Sequence, residues 1–299
     1  MGITKNCARF LSYATTKGVS FSDTIMLGRQ ELFVTPFEFS TYLSQFNIPY
    51  NEIPKSFEGQ FAEQLFHALG ARVIDSMDIS TFEKATVIHD LNLAIPETLR
   101  RKYTVVFDGG TLEHVFNFPQ AIKNCMDMLQ VNGHFISITP TNNQCGHGFY
   151  QFSPELFFSL FEAKHGFNTK MIAVGVDSPN TGFREWYEVV SPHVAKRRVT
   201  LSNSLPTYLM IIAQKVEDTE KINLQPMQSD YQLIWEVYDS IENDVPITKE
   251  SSLLFYYRKY VPEILKSIVR KALGRSNETL KNVDGLGKVN PSYFKKMDI

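Results

Sequence analysis

The chain has 299 residues, 43% hydrophobic and 13% aromatic, with a formal net charge of −2; it can bury a large core and has no overall attraction for a polyanion, so a nucleic-acid substrate is not suggested. Its three cysteines, Cys7, Cys125 and Cys145, are odd in number and widely spaced. They match neither a disulfide framework nor a zinc site, so no metal centre is expected and a reducing cytoplasm is the expected setting. No apolar run approaches the ~20 residues that cross a bilayer. The N-terminal MGITKNCARF lacks the apolar region of a signal peptide, and Asn6 stands where a myristoylation signal wants Ser or Thr, so a soluble protein is expected.

In chain order, the first core strand is DTIMLGRQ, residues 23–30. Helical stretches follow in PFEFSTYLSQF and FEGQFAEQLFHAL, within residues 31–69. ARVIDSMDIS and ATVIHDLN then read as strands ending at Asp78 and Asp90. YTVVFDGG is a short β-branched and aromatic run that stops at Asp108, where Gly109 and Gly110 allow a tight turn and close approach of a ligand to the backbone. In open parallel sheets, ligands bind beyond the carboxyl ends of the strands, which is where this acid stands.

A helix is expected to start near Thr111. Glu113 in its first turn suits the positive end of the helix dipole, and His114 either packs locally or faces the cleft. Pro119 fits a first turn, Ile122, Cys125, Met126 and Leu129 repeat at i, i+3, i+4 and i+7, and Gly133 can end the run. Met126 and Met128 read as core filling. HFISITP alternates like a strand, closed by Pro140 before Thr141, Asn142 and Asn143. In QCGHGFYQFSPE, His147 lies between two glycines. The loop either projects His147 into a cleft, with Tyr150 and Gln151 lining a pocket, or merely delivers Phe149 and Phe152 to the core.

SPELFFSLFEAKHGF reads as a helix with Ser153 as N-cap, Pro154 first and Glu155 in the first turn. NTKMIAVGV and PTYLMIIAQKV are strands, separated by an insertion (178–204) in which Arg184, Trp186 and Tyr187 could face an acceptor. From about residue 218 the sheet pattern stops. Residues 253–275 then place Ile264, Leu265, Ile268, Val269 and Leu273 at helical spacing among Lys266, Arg270, Lys271 and Arg275. Such a helix docks on its own domain or makes peripheral contact with a membrane or partner. Residues from Ser276 onward are polar and read as a loosely ordered end.

The run from residue 103 to 143, with its FD…LEH segment, resembles the class I S-adenosylmethionine-dependent methyltransferases. The resemblance covers roughly residues 20–217 and is densest over 70–143. It implies an α/β fold with a Rossmann-like seven-stranded methyltransferase sheet flanked by helices over 1–217, and a helical C-terminal extension over 218–299. By resemblance Asp78 takes the ribose hydroxyls (Asp75 being a rival inside the strand), Asp90 lies near the adenine amino group, Leu91 packs on the purine and Asn92 is a weaker polar candidate. Asp108 and Gly109 fall at the methyl-donor end. The family's glycine-rich loop after the first strand is reduced to Gly28, followed by Arg29 and Gln30. Arg29 could offer a guanidinium fork to the cofactor carboxylate, or be an ordinary salt-bridged arginine.

Because the sulfonium donor is already activated, the protein mainly positions reactants. Asp108, His114 and His147 are the candidate bases for a hydroxyl acceptor, and Asn142, Tyr150 and Gln151 the candidate acceptor contacts. The resemblance implies S-adenosyl-L-methionine as cofactor and a small-molecule or glycan hydroxyl as acceptor. The alternative is a non-catalytic homologue acting as a binding or scaffold subunit. A nicotinamide oxidoreductase is disfavoured because no G-x-G-x-x-G follows the first strand.

Overall fold

The computed structural model describes residues 2–50, 60–177, 185–195, 199–218, 224–229, 231, 281–283 and 286–299. The chain opens with strand β1 (Gly2–Thr4) and helix α1 (Lys5–Thr15), whose first turn is capped by the Thr4 hydroxyl accepting from the Cys7 amide. No sequence expectation covered α1, although Cys7, Phe10, Leu11 and Ala14 repeat at i, i+3, i+4 and i+7 and are all buried. Strand β2 (Asp23–Leu27) follows, and then β3 (Glu31–Phe33), which pairs parallel with β1. Helices α2 (Pro36–Gln45) and α3 (Glu63–Ala68) fall within the expected helical stretches, α2 starting at a Thr35/Glu38 capping box.

Strands β4 (Val73–Asp78), β5 (Val87–Ile88) and β6 (Tyr103–Asp108) end on or near the three marked acids. A short 3₁₀ turn (Leu112–His114) and helix α4 (Phe118–Met128) lead into β7 (Leu129–Asn142). Next come α5 (Pro154–Leu160), β8 (Phe167–Val176), β9 (Trp186–Val189), α6 (Pro192–Ala195), β10 (Leu201–Ser202), β11 (Thr207–Lys215), β12 (Lys281–Val283) and β13 (Gly287–Val289).

The chain divides into two compact units. In the first, residues 1–189, 204–226 and 296–299, eight strands run in the order β9-β8-β11-β7-β6-β2-β4-β5. The five from β7 to β5 are parallel, whereas β11, β8 and β9 pair antiparallel. From β2 the chain winds outward to β4 and β5, then returns to β6 and β7 on the other side. The switch point therefore lies between β2 and β6. In the second unit, residues 190–203 and 227–295, β10, β13 and β12 form a small antiparallel sheet that buries Leu286 and Val289.

Parallel central strands are covered on both faces, and Val105, Val106 and Phe107 are accordingly buried in succession. So are Phe135, Ile136 and Ser137, so β7 does not show the alternation read from HFISITP. α4 ends at Met128 rather than at Gly133. The buried Lys215 ammonium donates to the carbonyls of Met126 and Leu129, satisfying acceptors that the helix leaves open. Gly133 is instead required by close strand packing, since a Cβ there would lie 2.8 Å from the Gln130 carbonyl oxygen.

The insertion after β8 also differs from expectation. Trp186 and Tyr187 do not face an acceptor but are buried, Trp186 against Phe10 and Tyr13 with the Arg9 guanidinium over its ring. Arg184 and the basic helix expected over 253–275 lie outside the described residues. No described helix is long and apolar enough to cross a membrane.

Candidate active site

The ends of β2, β4, β5, β6 and β7 place Gly28, Asp78, Asp90, Asp108 and Asn142 along one edge of the sheet. At β2 the chain turns through Gly28 with φ +71, a conformation that favours glycine, and the Gly28 amide donates to the Met77 carbonyl at 2.7 Å. Arg29 is engaged within the protein. Its Nε lies 2.8 Å from Glu63 Oε1, one terminal nitrogen donates to the Glu83 carbonyl, and the guanidinium stacks over Phe61. This is the salt-bridged alternative, not a fork held open for a cofactor carboxylate. Buried Gln30, unmarked in the sequence, folds back to donate to the Leu27 carbonyl at 2.9 Å. Its Cδ would lie 3.4 Å from a Cβ at Gly109, so Gly109 is small because Gln30 and Phe107 crowd it.

Asp108 is fully buried and saturated with protein donors. Oδ1 accepts from the amides of Thr111 and Leu112, and Oδ2 from the Ser137 hydroxyl at 2.7 Å. Both of its oxygens are therefore engaged in building the turn after β6, a structural role for a residue that the sequence offers as base and cofactor ligand. Burial raises its pKa, and those hydrogen bonds oppose the rise.

Glu113 is buried as well and does not sit as an exposed dipole partner at a helix start, because only a 3₁₀ turn forms there. Burial, and then the Asp108 carboxyl, push its pKa up to about 8. Ser137 and Thr139 stand two residues apart on one face of β7, and each serves one acid. Thr139 Oγ1 donates to Glu113 Oε2 at 3.2 Å. The other carboxylate oxygen, Oε1, is buried and has no hydrogen-bond partner among the described residues. His147 Nε2 approaches it to 3.3 Å without hydrogen-bond alignment.

His147 reaches Glu113 because its loop is clamped there. The amides of Phe149 and Tyr150 both donate to the Glu113 carbonyl, at 2.8 and 3.2 Å, and a Cβ at Gly148 would lie 2.9 Å from that same oxygen. His114, next along the 3₁₀ turn, is exposed, and its ring centroid is 5.4 Å from that of His147. Burial, and then His147, lower its pKa. One ligand atom from each of Glu113, His114 and His147 lies within 4.8 Å of the other two. A carboxylate and two imidazoles at this separation form a donor set suited to a divalent metal. In the sequence His114 and His147 read as separate candidate bases and Glu113 only as a helix-dipole partner.

The acceptor candidates divide. Tyr150 donates to the Phe116 carbonyl at 2.6 Å and its ring packs on Phe118 and Phe152. Gln151 is exposed but uses its carbonyl oxygen to accept from the Gln144 amide. Asn142 ends β7 opposite Thr207. Phe116 and Phe149, exposed at 74% and 68%, meet edge to face beside the two histidines.

On the β4–β5 side, Asp78 Oδ1 accepts from the Ser80 amide and hydroxyl. Asp90 Oδ1 accepts from the Asn92 amide and side chain, which hold its pKa below the usual carboxylate value. Leu91 is buried rather than open to a purine, whereas Ile79, following Asp78, is exposed. Asn92 itself bonds Asn117. Asn124 on α4 pins the segment, donating to the carbonyls of Leu91 and Leu93 and accepting from the Ile95 amide. No sequence expectation covered Asn124.

No family model matches the sequence, and no curated protein matches it. Similar solved structures include a candidate sarcosine dimethylglycine methyltransferase from Galdieria sulphuraria (13% identity, 69% of this chain and 83% of that one, TM-score 0.41). A candidate methyltransferase from Bacillus halodurans C-125 is 7% identical over 70% of this chain and 99% of the other, with a TM-score of 0.39. The branched-chain polyamine synthase from Thermus thermophilus, in complex with N4-aminopropylspermidine and 5'-methylthioadenosine, is 10% identical over 75% of this chain but only 61% of its own length, with a TM-score of 0.36. The fold rests on the strand order of the protein itself: five parallel strands wound outward from β2 on both sides, extended past β7 by antiparallel β11 and β8. The sheet is thus a doubly wound, Rossmann-like α/β sheet flanked by helices, the architecture expected over residues 1–217.

Proposed function

We propose that the chain transfers a methyl group from S-adenosyl-L-methionine to a small-molecule or glycan hydroxyl. The observation that carries this reading is the strand-end edge itself: Asp78 and Asp90 lie at the ends of β4 and β5, while His114 and His147 lie beyond β6 and β7. In this reading Asp78 accepts from the ribose hydroxyls, exposed Ile79 offers the purine an apolar face, and Asp90 accepts from the adenine amino group. The two histidines stand where an acceptor oxygen would meet the donor methyl, with the Phe116–Phe149 pair as an apolar wall. The family-implied cofactor-binding residues that remain are Gly28, Asp78 and Asp90.

Calorimetry and thermal shift with S-adenosylhomocysteine test the reading, because a ligand bound only by the folded state raises the melting temperature by mass action. A saturable shift supports it; no shift at millimolar ligand refutes it. One observation favours the second reading, a scaffold that binds no cofactor. The turn at residues 28–30 is filled by Gln30 and braced by Arg29, where the family keeps an open glycine loop. That same absence of a shift is what the scaffold reading predicts.

A further inference from the structure

We propose that Glu113, His114 and His147 bind one divalent transition-metal ion of the zinc type, in a site that leaves coordination positions open to an exogenous oxygen. The three ligand atoms come from two segments, the turn after β6 and the loop after β7, and lie within 4.8 Å of one another. Ligands at 2.0–2.1 Å from a tetrahedral ion stand ~3.3 Å apart, so small movements of the two exposed rings close the set.

The second observation is the state of the carboxylate. Glu113 is fully buried, yet Oε1 has no hydrogen-bond partner among the described residues. Buried polar oxygens are rarely left that way, since an unsatisfied one keeps the full cost of its lost hydration. Oε1 also points at the two imidazoles, and a cation between them would satisfy it. A bare His147–Glu113 ion pair is the weaker account. At 3.3 Å the contact is not aligned as a hydrogen bond and leaves Oε1 unsatisfied.

The surroundings resemble the supporting shell of a metal site. Thr139 Oγ1 holds Oε2, which fixes the carboxylate so that Oε1 faces the rings. Gly110, with φ +96, holds a backbone conformation that strains any other residue, and a Cβ there would lie 3.1 Å from Oε1. Gly148 allows the loop to press its backbone onto the Glu113 carbonyl, bringing His147 alongside. One ligand is buried and the side chain of His147 is 45% exposed, so the open positions face solvent.

The role of the ion rests on the methyl-transfer reading; its binding does not. When the acceptor hydroxyl coordinates the ion, its O–H bond is weakened and the proton passes to water. The new O–CH₃ bond forms as the S–CH₃ bond breaks, and sulfur keeps the electron pair as a neutral thioether.

The full-length protein, stripped with EDTA and dialysed, is titrated with Co²⁺ and followed by its visible d–d bands, then with Zn²⁺ by calorimetry. The expected result is one ion per chain, Zn²⁺ displacing Co²⁺. His147→Ala and His114→Ala should each weaken binding at least ~10-fold, and Thr139→Val should weaken it measurably through the carboxylate. Circular dichroism verifies that the variants fold; the two histidines are exposed, so they should. No d–d band in the parent, or equal affinity in parent and histidine variants, overturns the site. S-adenosylhomocysteine binding is measured on the same stripped protein. Metal without nucleoside binding upholds the site and refutes methyl transfer; nucleoside without metal binding refutes the site alone.

Discussion

Replacement of Asp108 separates a structural acid from a catalytic one. Its carboxylate accepts from the Thr111 amide, the Leu112 amide and the Ser137 hydroxyl in a fully buried setting. Asp108→Ala strands all three donors; at about 1–1.5 kcal/mol each, the loss is about 4 kcal/mol. Asp108→Asn keeps the oxygen that serves the two amides, and the Ser137 hydroxyl can rotate to accept from the new amide nitrogen. That variant should lose only about 1 kcal/mol, since it also removes a buried charge. Urea denaturation measures both losses, and methyl transfer or S-adenosylhomocysteine binding is followed in parallel. The expected pattern is a strongly destabilised Ala variant and an Asn variant that retains binding and turnover within a few-fold. An Asn variant of parental stability with no turnover would refute the reasoning and return Asp108 to the chemistry.

Three further predictions follow from other parts of the first unit. Buried His134 has its pKa lowered to about 4 by desolvation and then by Lys170, so the unfolded chain binds the extra proton between pH ~6.5 and ~4. Stability should therefore fall as pH drops through that window, by at most about 3 kcal/mol, and His134→Leu should flatten the slope of urea midpoints against pH; an unchanged slope refutes the assignment. Asn124→Ala removes three bonds to the 91–95 segment and should lower stability by about 2–3 kcal/mol while weakening S-adenosylhomocysteine binding in calorimetry; unchanged affinity would show that the segment does not hold the nucleoside. Arg29→Ala breaks a largely buried pair with Glu63, a hydrogen bond to the Glu83 carbonyl and the stack on Phe61, and should cost about 1–2 kcal/mol with little change in cofactor affinity, whereas abolished binding would restore the cofactor-fork reading.

Much of the fold was legible because local chemistry and tertiary structure agree. Val105–Phe107 form a continuous apolar run because both faces of a parallel strand are covered, and Ser153-Pro154-Glu155 starts a helix through its own side chains, the Ser153 hydroxyl accepting from the Leu156 amide. Boundaries failed where a distant residue decided them. α4 ends five residues before Gly133 because Lys215, 86 residues beyond Leu129, reaches its last carbonyls. Trp186 read as a loop aromatic since nothing near it in sequence reports that α1 covers it.

At the site, the sequence by itself determined the inventory: acids at the ends of successive strands, a glycine-bracketed histidine, and a Glu-His pair after β6. Those are matters of local spacing, written into a few consecutive residues. Only the tertiary structure decided their roles. It saturates Asp108, ties Arg29 to Glu63, buries Leu91, and brings His147 across 34 positions to Glu113 and His114. Burial and the meeting of distant donors set whether a carboxylate is a turn former, a ligand or a base, and neither is a property of the segment that carries it.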